Sequence, residues 1–157
     1  MVDISNLLKY NESVRHAYFE SLTKLSWKEF VKNREASFNS MRNIFIHILG
    51  AMDYWLDFLQ KQDLHSERKF NEYKTFHEVE AYMKQVEKRM KEYLDKLPPD
   101  GLQKTYTITG EAHKKAKITA EDILIHVFEE EVHHRGELIA LLWQIGVDPP
   151  SMGWKGL

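Results

Sequence analysis

Glu130 and His134 stand four residues apart on the stripe Ile123, Val127, Glu130, His134, Leu138 and Leu141, inside a stretch that otherwise reads as a buried helix. Four residues make about one helical turn, so both side chains project from one face and can supply two ligands to a single ion. Ionisable groups in an apolar stripe are costly unless they are paired or bound to a metal, which makes this stretch the first place to look for function. A third donor must come from another helix. His47 is the best candidate, because it is the lone polar residue in Ile44-Phe45-Ile46-His47-Ile48-Leu49-Gly50-Ala51. Two imidazoles and one carboxylate bind a divalent cation and leave positions open for water or substrate. The competing account makes His47 and His134 core histidines bonded to backbone, with Glu130 solvated at a helix edge.

Glu130 with His133, and Glu131 with His134, also form Glu-x-x-His pairs of the kind used by di-iron bundles. No other such pair occurs in the chain, and the second helix offers only Asp53 and Asp57 near His47, so a mononuclear site is preferred. His126, one turn before Glu130, and Glu131 are weak candidates for a general acid or base. His133 is about 100° around the helix from His134 and is read as a surface or interface residue. Arg135 is expected to pair with a carboxylate across the bundle. Gly136, in mid-helix, predicts the close approach of another backbone or of a ligand. Tyr54, Trp55 and Trp143 are either walls of a pocket above the ion or ordinary core. His16, His65, His77 and His113 sit among polar residues and are expected in solvent.

The elements that must position these residues follow from apolar spacing. A first helix runs from about Ile4 to Leu25, with Asp3 or Ser5 as its cap, and a polar segment follows. Ser37 or Asn39 starts a second helix that ends near Gln62. A loop from Asp63 to Thr75 leads to a third helix, Phe76 to Leu97, stopped by Pro98-Pro99-Asp100-Gly101. Alternating β-branched residues in Thr105–Thr109 and Ala116–Thr119, around Gly110-Glu111, predict a short hairpin. Thr119 caps a last helix reaching about Ile145, ended by Gly146 and Pro149-Pro150. Four long amphipathic helices with one longer crossover describe an all-α four-helix bundle. The chain lacks GxGxxG, P-loop and GxSxG motifs, which sets nucleotide-binding and serine-hydrolase readings aside.

The 157 residues, 43% of them hydrophobic, suit one domain with a sizeable core. A net charge of −2 gives no general attraction to phosphate backbones, so nucleic acid is a poor partner. No cysteine is present, which removes disulfides, thiolate ligands and a cysteine nucleophile together. Any metal must be held by nitrogen and oxygen. The first residues carry no basic and apolar leader, and no apolar run approaches the ~20 residues that span a bilayer, so a soluble cytoplasmic protein is expected. The apolar, proline-stiffened tail Asp148–Trp154 is expected to fold over the bundle or to anchor Trp154 on a second subunit.

At Ile46-His47-Ile48-Leu49, and at Leu124-Ile125-His126-Val127 followed by His133-His134-Arg135-Gly136-Glu137-Leu138, the sequence resembles the DinB/YfiT-like family, four-helix bundles that include bacillithiol S-transferases. The likeness covers nearly the whole chain in helix order. The family's last-helix pattern resembles H-x-x-x-H-R-G-Q, and its metal triad falls on His47, position 130 and His134. Position 130 is Glu where many members have His, and position 137 is Glu where many have Gln. Glutamate is a competent ligand, but the site becomes one unit more negative, and zinc or nickel are the first metals expected, with iron or manganese behind. The resemblance implies a homodimer and a metal-dependent thiol transferase or hydrolase. In such an enzyme the ion activates water or a low-molecular-weight thiol such as bacillithiol. The alternative is a non-catalytic metal- or ligand-binding dimeric stress-response module.

Overall fold

The computed structural model describes residues 3–61, 69–109 and 115–151. Its first long helix, α1 (Ile4–Thr23), begins at Asp3, whose carboxylate accepts the Ser5 amide at 2.9 Å. After it comes a single helical turn, α2 (Trp27–Phe30), within the segment expected to be merely polar. Ser26 caps this turn by accepting the Glu29 amide, and Phe30 drops into the core, fully buried between Trp27 and Phe76. The second long helix, α3 (Met41–Lys61), starts at neither Ser37 nor Asn39, because Ser40 Oγ accepts the Asn43 amide and Ser37 stays in the preceding loop, bonded to Glu137.

Two capping boxes define the remaining long helices. Thr75 and Glu78 open α4 (Phe76–Asp95), and Thr119 and Asp122 open α5 (Ala120–Gln144). In each, the threonine hydroxyl accepts the third amide of the helix while that residue's carboxylate accepts the cap amide. The Lys74 amide, with those of the box, holds the Glu78 carboxyl below its ordinary pKa, and the Thr119 amide and hydroxyl do the same for Asp122. Thr119→Ala is expected to cost about 1 kcal/mol, read as a lower urea midpoint, whereas Thr119→Ser is expected to retain most of it. A stability unchanged in Thr119→Ala would show that the box contributes nothing to α5.

The hairpin is present before α5, with β1 (Thr105–Thr109) antiparallel to β2 (Lys115–Thr119) in a register that pairs Thr105 with Thr119. Tyr106 ties it to the bundle, its hydroxyl donating to the Leu59 carbonyl at 3.2 Å from a buried position. Helix α3 packs on α4 and α5, and α1 packs on the same two, so α1 and α3 face each other across the diagonal. Leu22, Phe30, Met41, Ile44, Leu49, Leu56, Val86 and Leu124 are fully enclosed between them. Among the described residues no helix is long and apolar enough to cross a membrane. His65, His113, Trp154 and the hairpin turn at Gly110-Glu111 lie outside the described residues.

Candidate metal centre

His47 lies midway along α3, and Glu130 and His134 lie midway along α5, the two helices in most extensive contact. The packing aims all three at one point. Glu130 Oε2 is 3.4 Å from His47 Nε2 and 3.4 Å from His134 Nε2, and the three donor atoms lie within 4.8 Å of one another. A tetrahedral ion with bonds of about 2.0–2.1 Å separates its ligands by roughly 3.4 Å, which the two separations from Glu130 match, so the donor set suits a divalent ion. His134 is 6% exposed and the His47 side chain 10%, while Glu130, at 30%, forms the open side.

A cleft of about 340 Å³ opens there, lined by His47, Ala51, Tyr54, Trp55, His126 and Glu130. Tyr54 and Trp55 are therefore walls of the site, and the Trp55 and His126 rings meet edge to face at 5.6 Å. His126 Nε2 is 3.9 Å from Glu130 Oε1, beyond a hydrogen bond and within reach of a bound water or substrate. Trp143 is neither a wall nor core, since it is 63% exposed elsewhere on α5. His133 is exposed and contributes no donor.

Behind the triad, His134 Nδ1 is 2.7 Å from Glu137 Oε2. A carboxylate only accepts, so Nδ1 carries the proton, which in the neutral ring leaves Nε2 with a lone pair on the side of His47 and Glu130. Glu137 is itself held by Ser37, whose hydroxyl donates at 2.8 Å and whose amide donates at 3.4 Å. Burial pushes the Glu137 carboxyl up, but the hydrogen bonds from His134 and Ser37 outweigh it and hold the pKa below the ordinary value. On the other side, Phe38 stacks on His47 at 3.9 Å and 22°, and meets His134 at 5.3 Å. Spacing along one helix shows Glu137 beside His134, but nothing local in the sequence announces Ser37 or Phe38, which arrive from the loop before α3.

Glu131 does not belong to the centre. One residue on from Glu130 it turns about 100° away, into the space between α1 and α5. There Arg15 Nε and Nη2 bond its two oxygens at 3.2 and 2.9 Å, and Arg15 Nη1 bonds Glu87 at 2.7 Å. A carboxylate so engaged is an anchor, not a general base. Burial works against the Arg15 charge, and Glu131 and Glu87 outweigh it, so its pKa stands above the usual arginine value. Arg135 reaches Glu131 on its own helix at 3.6 Å, and its partner across the bundle is the Asn11 amide oxygen at 3.0 Å, where a carboxylate was expected. Arg15 and Asn11 were legible as polar interruptions of the stripe Leu8, Asn11, Arg15, Tyr18, Leu22.

Asp53 and Asp57 are committed to Arg89, with Tyr82 donating to Asp53, so they supply no second ion site beside His47. Glu12, His16 and Glu87 form another donor group within 4.8 Å. Two of its members are exposed, and Glu87 spends one oxygen on Arg15 and the other on His16, at 2.9 Å. His16 is thus exposed, as expected, but paired. Among the described residues nothing beyond its own helix backbone and chain neighbours would lie within 4 Å of a Cβ built on Gly136, so no other part of the chain makes the close approach there. Gly136 faces outward between Val132, at 41% exposure, and Trp143, with Ile125, at 40%, on the same stripe.

The fold and site together define an all-α bundle in which two imidazoles and a carboxylate converge from the second and last long helices. The chain belongs to the DinB family, whose family model matches residues 1–155. It is 24% identical over 153 residues to the uncharacterised protein YizA of Bacillus subtilis (strain 168), an alignment covering 94% of this chain and 91% of that one. Its fold is similar to the crystal structure of the DinB-like protein YjoA from Bacillus subtilis. The TM-score is 0.69 at 18% identity, over 94% of this chain and 97% of the other.

Proposed function

We propose that this DinB-family protein is an enzyme that uses one divalent ion, held by His47, Glu130 and His134, to activate a small thiol or water. The observation that carries the reading is the convergence of three donor atoms, two of the separations being 3.4 Å, at the floor of an aromatic-walled cleft. Zinc or nickel suits two imidazoles and a carboxylate best, with iron or manganese as alternatives. When bound, such an ion acidifies a thiol or water in its open position, so that a nucleophile forms near neutral pH.

The chain has no cysteine, so the thiol must enter as a cosubstrate, and bacillithiol is the one the family resemblance suggests. Tyr54, Trp55 and Ala51 offer an apolar face to the electrophile, and His126, at the cleft mouth, takes the thiol proton on Nε2. The sulfur then bonds to the electrophilic carbon and the leaving group departs with its electron pair. With water in place of thiol, the same arrangement performs hydrolysis. The outward stripe of Ile125, Val132, Gly136 and Trp143 suits a second copy of the chain, which supports a homodimer.

Elemental analysis of protein purified without an affinity tag tests the reading directly. About one ion per chain is expected in the wild type and none in His47→Ala or His134→Ala. The loaded protein should then accelerate transfer of a low-molecular-weight thiol to a model electrophile, or hydrolysis. Absence of stoichiometric metal after reconstitution overturns the site. Full metal occupancy without acceleration of either reaction overturns the enzyme and favours the non-catalytic module, a reading that draws on the half-exposed, loosely held His126.

A further inference from the structure

We propose that the loop of residues 34–40 positions the metal centre, Ser37 and Glu137 fixing the His134 ring and Phe38 fixing the His47 ring. This rests on the metal reading above but makes its own claim about which residues prepare the site. Each ligating imidazole has two torsions to settle before its Nε2 lone pair points at the ion. For His134 the 2.7 Å contact to Glu137 settles both, together with the tautomer. Glu137 is only three residues away on the same helix and one of its sides faces solvent, so alone it could swing outward. Ser37 prevents this by bonding one carboxylate oxygen through its amide and the other through its hydroxyl. The chain Ser37–Glu137–His134 thereby links a loop to the ion position through three side chains.

Phe38, the next residue, lies flat against His47 at 3.9 Å, which blocks rotation of that ring and shields it from water. Adjacent residues of one loop thus address the two histidines contributed by two different helices. The loop is built to hold this shape. Glu35 and Asn39 take φ of 56° and 68°, in the left-handed region that side chains other than glycine seldom occupy. Such conformations persist where the surroundings over-determine them and cluster at functional sites. Here Arg34 donates its amide to the Asn39 carbonyl at 2.6 Å, the Asn39 amide donates to Ala36 at 2.9 Å, and the Asn43 side chain donates to the Phe38 carbonyl at 2.8 Å. These bonds hold Ser37 and Phe38 where they reach Glu137 and His47.

The test compares wild type with Ser37→Ala, Glu137→Ala, Glu137→Gln and Phe38→Ala in two measurements. In the metal-free protein, nitrogen-15 correlation spectra of the imidazoles report the His134 tautomer. The Nδ1-protonated form is expected in wild type and Glu137→Gln, and a mixture in Glu137→Ala and Ser37→Ala. Zinc affinity, measured by competition with a chelator, is expected to fall about ten- to hundred-fold in Glu137→Ala and several-fold in Ser37→Ala and Phe38→Ala, with Glu137→Gln between. Stoichiometry and urea midpoint of the metal-free protein should stay near wild type in Ser37→Ala, whose side chain is exposed. A wild type that takes up no zinc defeats the metal reading, while the tautomer still reports on Ser37 and Glu137. A wild type that binds one zinc, with Ser37→Ala and Glu137→Ala matching it in affinity and tautomer, overturns the positioning role and leaves the metal site standing.

Discussion

Arg15→Met is expected to lower stability by about 3–5 kcal/mol, seen as a large fall in the urea midpoint at neutral pH. Arg15 is 3% exposed and Glu131 4%, so neither charge has water to fall back on. The guanidinium grips Glu131 through two hydrogen bonds and Glu87 through a third. With Arg15 gone, Glu131 keeps only Arg135, 3.6 Å away and too far for a good hydrogen bond. The loss is the cost of an uncompensated buried carboxylate more than the worth of the pair, so removing both charges should hurt less. The double variant Arg15→Met/Glu131→Met is therefore expected to be more stable than Arg15→Met alone. A single variant within 1 kcal/mol of wild type, or a double variant that loses the sum of the two singles, would contradict this account of the network.

The same network explains why a triad on two helices can be precise. Arg15 and Asn11 on α1, Glu87 on α4, and Glu131 and Arg135 on α5 tie three helices in one rotational setting. That setting turns Glu130 and His134 toward α3 while Glu131 and Arg135 face α1. Consecutive ionisable residues in Glu129-Glu130-Glu131 thus divide among solvent, the His47–His134 donor group and the Arg15 anchor, by an angle of about 100° each.

Much of this was visible in the sequence, and the parts that were not share a physical reason. Helix borders follow from local chemistry: Thr75-x-x-Glu78 and Thr119-x-x-Asp122 announce capping boxes, and alternating threonines announce the hairpin. Glu130 and His134 are legible as a pair because a single helix fixes their geometry. The convergence of His47 on them is a property of how α3 lies on α5, and spacing alone cannot supply it. The loop before α3 reads as polar filler because Ser37 and Phe38 meet their partners only in the folded bundle, about a hundred residues away from Ser37 in the case of Glu137. Gly136 signals the close approach of another backbone or of a ligand, and among the described residues no other part of the chain comes near it, because the position faces outward.

Adding zinc to the metal-free protein is expected to raise its melting midpoint by roughly 8–15 °C, and this rise should vanish in His47→Ala and His134→Ala. A ligand present at a thousand times its dissociation constant stabilises the folded state by about 4 kcal/mol. For a domain of this size, each kcal/mol moves the midpoint by roughly 2–4 °C. The metal-free variants are expected to melt somewhat below wild type, since His47 and His134 are packed against Phe38 and largely buried, so each is compared with its own metal-free form. What they lose is the response. Glu130→His should keep the response to zinc and nickel and weaken that to manganese, since it exchanges a hard anionic oxygen for a neutral nitrogen. Glu130→Ala should lose all three. A midpoint that climbs equally in wild type and His134→Ala would assign the stabilising ion to other donors, with Glu12, His16 and Glu87 the next set to substitute. A manganese response unchanged in Glu130→His would show that the carboxylate does not ligate, leaving His47 and His134 with too few partners to hold an ion in place.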